Sequence, residues 1–90
     1  MHDNKDKSRF EHAVGAHTVF ADYDRRGDTL VIKYVEAPEP LRGTGAAGQL
    51  MEDIFAYARA EGLKVYPICG YAVSWARRHP EIKHLMSVNM

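Results

Sequence analysis

Between Pro40 and Leu50 the chain changes character, and the six residues at the change, Gly43-Thr44-Gly45-Ala46-Ala47-Gly48, constrain it most. They stand at the head of a long helical pattern. A glycine-rich turn feeding a helix presents bare backbone N–H groups and the positive end of the helix dipole. That combination is a cradle for phosphate.

The segments on either side differ in period. Met1 to Lys7 is polar and charged and reads as a frayed tail, which leaves residues 8–90 as one domain. Phe10, His12 and Val14 alternate with polar neighbours, and Val19, Ala21 and Tyr23 share one face of the next segment. Gly15-Ala16 and Arg26-Gly27-Asp28 are turns, and Thr29 to Val35, rich in β-branched and aromatic residues, is the clearest strand. Short turns between these strands imply an antiparallel meander. Pro38 and Pro40 exclude a helix or a central strand at residues 37–40. From Gly45 to Glu61 the period is helical, with Leu50, Ile54 and Tyr57 in one stripe and Met51, Phe55 and Ala58 beside it. Gly62 ends the helix, Lys64 to Ile68 is a short strand, and Gly70 to His79 is a second helix closed by Pro80. The unit from Thr29 to Ile68 should be a right-handed crossover with parallel outer strands. The fold class is therefore α/β (α+β): an antiparallel meander, a β-α-β unit and a C-terminal helix.

Composition narrows the function classes. Twelve Lys and Arg oppose twelve Asp and Glu, which gives no electrostatic case for nucleic acid or an anionic membrane. No apolar run approaches the ~20 residues of a membrane span, and no secretory h-region is recognisable. The single cysteine, Cys69, has no internal partner, so the cytoplasm is the expected compartment. The five histidines share no face at ligand spacing, and no metal site is expected. Ser74 lies mid-helix without a nucleophile signature around it.

Three phosphate-binding patterns compete for the glycine turn. A P-loop needs Lys-Ser/Thr after its last glycine, and Gly48 is followed by Gln49-Leu50. Gly43, Gly45 and Gly48 satisfy the dinucleotide spacing Gly-x-Gly-x-x-Gly. Yet Pro38 and Pro40 separate the turn from its strand, and Tyr66-Pro67-Ile68-Cys69 offers no acidic residue where a ribose would need one. The third pattern begins at Arg42. Arg42-Gly43-Thr44-Gly45-Ala46-Ala47 matches Arg/Gln-x-x-Gly-x-Gly/Ala, and the preceding meander, the Glu36-bearing strand end and the following helix suit it.

This pattern resembles the acyl-CoA pyrophosphate loop of the GNAT N-acetyltransferase superfamily. Val35-Glu36-Ala37-Pro38-Glu39-Pro40-Leu41-Arg42-Gly43, Ala60-Glu61-Gly62-Leu63-Lys64-Val65, Pro67-Ile68-Cys69 and Arg78-His79-Pro80-Glu81 extend the likeness to the small single-domain, YidJ-like members, over roughly residues 8 to 86. The resemblance implies a minimal GNAT-like fold that binds acetyl-CoA as co-substrate. The backbone amides of Arg42, Gly43, Thr44, Gly45, Ala46 and Ala47 would hold the pyrophosphate. The pantetheine would lie in a splay between the strand ending near Glu36 and the strand ending near Ile68. Such small members lack the C-terminal strands that usually complete the amine site. Ala47 stands where glycine is frequent in the pattern.

Six side chains are candidates for chemistry. Arg42 can neutralise a phosphate or remain solvated. Cys69, at a strand-to-helix junction, gains thiolate character from the helix dipole and would lie near the acetyl group; a lone cysteine also reads as a small buried hydrophobe. Glu36 can deprotonate an amine, directly or through water, or be a strand-end surface charge. Tyr71, Trp75 and Arg78 share a helix face, from which Tyr71 and Arg78 would line the pantetheine and reach the CoA phosphates, while aromatic stripes commonly serve as core. The expected function is acetyl transfer from acetyl-CoA to an unknown amine acceptor, directly with Glu36 as base or through Cys69. A non-catalytic CoA- or acyl-CoA-binding module, or an interaction domain whose turn only caps a helix, are the other readings. A domain that omits part of its fold has an edge that a homodimer would cover.

Overall fold

The computed structural model describes residues 1–87, so the expected domain end at residue 90 lies outside the described residues. Five strands form one sheet in sequence order. β1 (His2–Asn4), β2 (Arg9–Val14), β3 (His17–Arg26) and β4 (Thr29–Glu36) are successively antiparallel, and β5 (Lys64–Pro67) lies parallel to β4. Between β4 and β5 runs α1 (Ala46–Glu61); α2 (Gly70–Arg77) and a 3-10 turn at Pro80–Leu85 follow. This is the expected meander, β-α-β unit and terminal helix. Among the described residues no helix is long and apolar enough to cross a membrane.

The alternation of the strands and the period of α1 meet in one core. Phe10, Val19, Ala21, Leu30 and Ile32 supply the sheet side, and Leu50, Met51, Ile54, Phe55 and Ala58 the α1 side. α2 adds Ala72 and Trp75, whose indole stacks on Phe55 at 5.5 Å between centroids. Gly62 ends α1 in the left-handed conformation at φ 69°, as its position in sequence implies.

The structure differs from the sequence reading in four places. Residues 2–4, within the expected tail, pair with residues 9–11 as β1; Tyr23 Oη donates to Asp3 Oδ1 at 2.7 Å and Asn4 Nδ2 to Glu11 Oε2 at 3.3 Å. Polar side chains thus anchor a segment that has little apolar surface to bury. Val14, expected on the buried face, is 39 % exposed because β2 runs past the core at its end. Glu39–Leu41 forms a single 3-10 turn around Pro40, which a proline admits in a first turn because its missing N–H has no acceptor to lose there. Finally, Asp22 pairs with Tyr34 but Tyr23 with Ile32, so Lys33 is an extra residue in β4, a bulge. Strict alternation after Leu30 and Ile32 would drive Tyr34 and Glu36 into the core. The bulge instead packs Val35 against it and leaves Tyr34 46 % exposed.

Candidate functional site

The parallel pairing of β4 with β5 ends at Ile32 and Pro67. The Ile32 carbonyl accepts the N–H groups of both Ile68 (2.9 Å) and Cys69 (3.3 Å), after which the chain turns into α2 while β4 continues to Glu36. Residues 33–36 therefore have no β5 partner, and the two strands part. A cavity of about 470 Å³ opens here, lined by Val35 and Glu36 of β4, Arg42, Gly43 and Gly45 of the turn, Ala47 and Gly48 of α1, and Tyr71 of α2.

The turn is shaped by two left-handed residues, Gly43 at φ 77° and Gly45 at φ 88°. A side chain at either would crowd its own backbone. Thr44 Oγ1 donates to the Leu41 carbonyl at 2.5 Å and accepts the Ala46 N–H at 3.3 Å, and the Gln49 N–H reaches the Gly45 carbonyl at 3.0 Å. Among the described residues, the N–H groups of Gly43, Gly45, Ala47 and Gly48 donate to no protein acceptor. All four residues line the cavity. The result is a row of free donors at the positive end of a sixteen-residue helix. Thr44 and Ala46, expected among the binding residues, do not line the cavity; their mutual bond shapes the turn. Gly48 joins the lining, a place that its position as last glycine of the run foreshadowed.

Glu36 is held by two neighbours. Tyr34 Oη donates to its Oε2, and Arg42 Nη2 donates to Oε1 at 3.2 Å. The Tyr34 bond, helped by Arg42 and opposed by partial burial, holds the carboxyl below its usual pKa. The same bond, the carboxylate charge and then burial push the Tyr34 phenol up. Arg42 also donates through Nε to the Ala37 carbonyl at 2.9 Å, which folds its exposed side chain back along the turn.

The remaining candidates separate. Cys69 precedes α2, half-buried against the core, with a free thiol, beside the strand gap but outside the cavity lining. Tyr71 lines the cavity; burial pushes its phenol up, against the opposing charge of Arg78. Arg78 caps the far end of α2, bonds Ser74 Oγ at 2.8 Å and lies outside the cavity lining. Trp75 is core, 4 % exposed. Among the described residues no three His, Cys, Asp or Glu side chains converge as metal ligands.

The site thus joins an anion cradle, an unpaired strand edge, a phenol–carboxylate pair and a nearby thiol. A family model described as GCN5-related N-acetyl-transferase matches residues 9–85. No curated protein matches the chain. The chain belongs to the GCN5-related N-acetyltransferase family, and its general chemistry is acetyl transfer.

Proposed function

We propose that this chain, as a GCN5-related N-acetyltransferase, binds acetyl-CoA across the parting of β4 and β5 and transfers the acetyl group to an amine. The observation that carries the reading is the set of four unpartnered N–H groups, at Gly43, Gly45, Ala47 and Gly48, on one wall of the cavity. A pyrophosphate needs many donors at close spacing, and backbone amides at a helix start supply them without the ordering cost of long side chains. Arg42 adds a charge at the rim. The free edge of residues 33–36 suits the amide-bearing pantetheine arm, which can bond to it much as an added strand would. That path leads the thioester toward Tyr71, Glu36 and the Cys69 end of the gap. Membership of the small single-domain group is part of this reading.

Two routes follow for the acetyl group. In one the amine attacks the thioester with Glu36 as the final proton acceptor. In the other Cys69, at the start of α2, takes the acetyl group first as a thioester with release of CoA, and the amine then attacks that thioester. A binding module without turnover is the second reading; the engagement of both Glu36 oxygens favours it, since a carboxylate so held is a weak base.

Calorimetric titration with acetyl-CoA, with NAD in parallel, tests the first claim. Saturable binding of acetyl-CoA alone is expected; binding of NAD alone would restore the dinucleotide pattern, and binding of neither would leave the turn purely structural. Mass spectrometry of the wild type and of Cys69→Ser after incubation with acetyl-CoA separates the routes. Unchanged turnover by Cys69→Ser sinks the covalent one.

A further inference from the structure

Nothing in the backbone requires a glycine at position 48. Unlike Gly43 and Gly45, Gly48 has no left-handed φ, and it stands in the first turn of α1, where glycine is a poor helix former. Its neighbours account for it. A Cβ at Gly48 would lie 3.6 Å from Trp75 Nε1 and 3.9 Å from Tyr71 Oη, both carried by α2. Glycine therefore leaves two side-chain donors uncovered beside a residue that lines the cavity and whose own N–H is free.

The indole N–H is the more telling of the two. Trp75 is 4 % exposed, with Phe55 and His79 stacked on its ring. Its backbone carbonyl is bonded to His79 Nδ1 and to the Arg78 N–H, but its indole N–H donates to no protein acceptor among the described residues. An indole nitrogen is a donor only, and a buried one ordinarily finds an acceptor. No fully enclosed side-chain nitrogen or oxygen among the described residues lacks a partner, so this unpaired N–H must reach a surface. The neighbour it borders is Gly48, in the cavity wall. That wall already carries the free N–H groups of Gly43, Gly45, Ala47 and Gly48, all donors. What such a set lacks is an oxygen-rich anion.

We propose that Trp75 is a ligand-binding residue: its indole N–H donates to the phosphate oxygen held by the Gly48 N–H, closing the cradle from the α2 side. The inference rests on the acetyl-CoA reading above, and gives the diphosphate a side-chain donor from a second helix. Gly48 is the opening through which donor and phosphate meet. Because Phe55 and His79 already clamp the ring, the contact costs little ordering on binding.

Trp75 is the single tryptophan, so its indole gives one 1H–15N signal in the full chain. Biosynthetic replacement of tryptophan by benzothienylalanine, which puts sulfur in place of the N–H, changes this position alone and keeps a fused ring for the stack. Acetyl-CoA is expected to move the indole proton downfield and to slow its exchange with water. S-acetylpantetheine, which has no diphosphate, is expected to leave it in place. In calorimetry the benzothienyl protein should bind acetyl-CoA about tenfold more weakly, the scale of one hydrogen bond to a charged group. Acetyl-CoA that binds without moving the indole proton, or that binds both proteins alike, overturns the Trp75 contact and leaves acetyl-CoA binding intact. An equal shift with S-acetylpantetheine overturns the phosphate as the acceptor. A wild type that does not bind acetyl-CoA overturns the acetyl-CoA reading itself, and this contact with it.

Discussion

Arg42 holds two partners at once, the Ala37 carbonyl and Glu36, yet its side chain is 64 % exposed. A guanidinium so placed can exchange the Glu36 oxygen for a phosphate oxygen without moving its anchor on Ala37. Arg42→Ala is therefore expected to weaken acetyl-CoA binding by about tenfold at low ionic strength, the scale of one charge-assisted hydrogen bond. The difference should shrink as salt is added, because an exposed pair is screened. Titrations at two salt concentrations check both parts. Tyr23 gives a second prediction, of stability. Burial first, then its bond to Asp3, pushes its phenol from 10.0 up to about 12. The folded pKa lies above the unfolded one, so the contribution is complete below pH 10.0 and is lost as pH rises from there through about 12. Urea midpoints measured across that range should fall for the wild type and fall less steeply for Tyr23→Phe. Because Asp3 belongs to β1, the same variant should also loosen residues 2–4, seen as faster amide exchange there.

The start of α1 separates backbone geometry from space. Gly45 sits at φ 88° with nothing within 4 Å of where a Cβ would stand, whereas a Cβ on Gly48 would meet Trp75 Nε1 at 3.6 Å and Tyr71 Oη at 3.9 Å, ordinary contacts. Gly45→Ala is expected to cost about 1–2 kcal/mol of stability through its left-handed backbone, and to lower affinity by turning the cradle N–H groups. Gly48→Ala is expected to leave stability unchanged or raised by up to about 1 kcal/mol, since alanine is the better helix former in this first turn of α1, while its methyl narrows the cavity and weakens binding. Denaturation and calorimetry on the two variants distinguish these signs. The turn was legible because its geometry is local: three glycines and a helix start lie within six residues. The long helix was legible because its period is long and regular, and the β4–β5 pairing because a strand–helix–strand unit brings its two strands parallel. The exposure of Tyr34 was not, because it follows from the Lys33 bulge, and a bulge hides in a run that otherwise alternates. The turn at Pro80–Leu85 was hidden for a related reason: Ile82 and Leu85 are buried three residues apart, the period of a 3-10 helix, too short a run to register. Arg78 was assigned by its spacing from Tyr71, and seven residues along a helix, roughly 10 Å, put it outside the cavity lining.

The whole molecule depends on a single core. The described residues have a Cα radius of gyration of 12.3 Å, that of one compact globule, and they share this one core. Trp75 is the side chain that ties core to site: it stacks on Phe55 of α1 at 5.5 Å and on His79 at 3.8 Å, its backbone carbonyl accepts the hydrogen bond from His79 Nδ1 at 2.7 Å, and its indole borders Gly48 at the cavity wall. Replacing a buried Trp by Ala costs about 3–5 kcal/mol, against a total of about 5–15 kcal/mol for a domain of ordinary stability. Trp75→Ala should therefore lower Tm by at least about 12 °C, since each kcal/mol is worth about 4–8 °C in a chain this short. Ligand binding opposes that loss by mass action, adding about 2.7 kcal/mol at a ligand concentration 100 times Kd. Acetyl-CoA should accordingly raise the Tm of the wild type, and raise that of Trp75→Ala by less, because the variant also loosens the wall formed by Gly48 and Tyr71. Thermal melts with and without acetyl-CoA read both effects. An equal rise in the two proteins would mean that the cavity wall does not need Trp75 behind it, and that core and site are coupled only through the global fold.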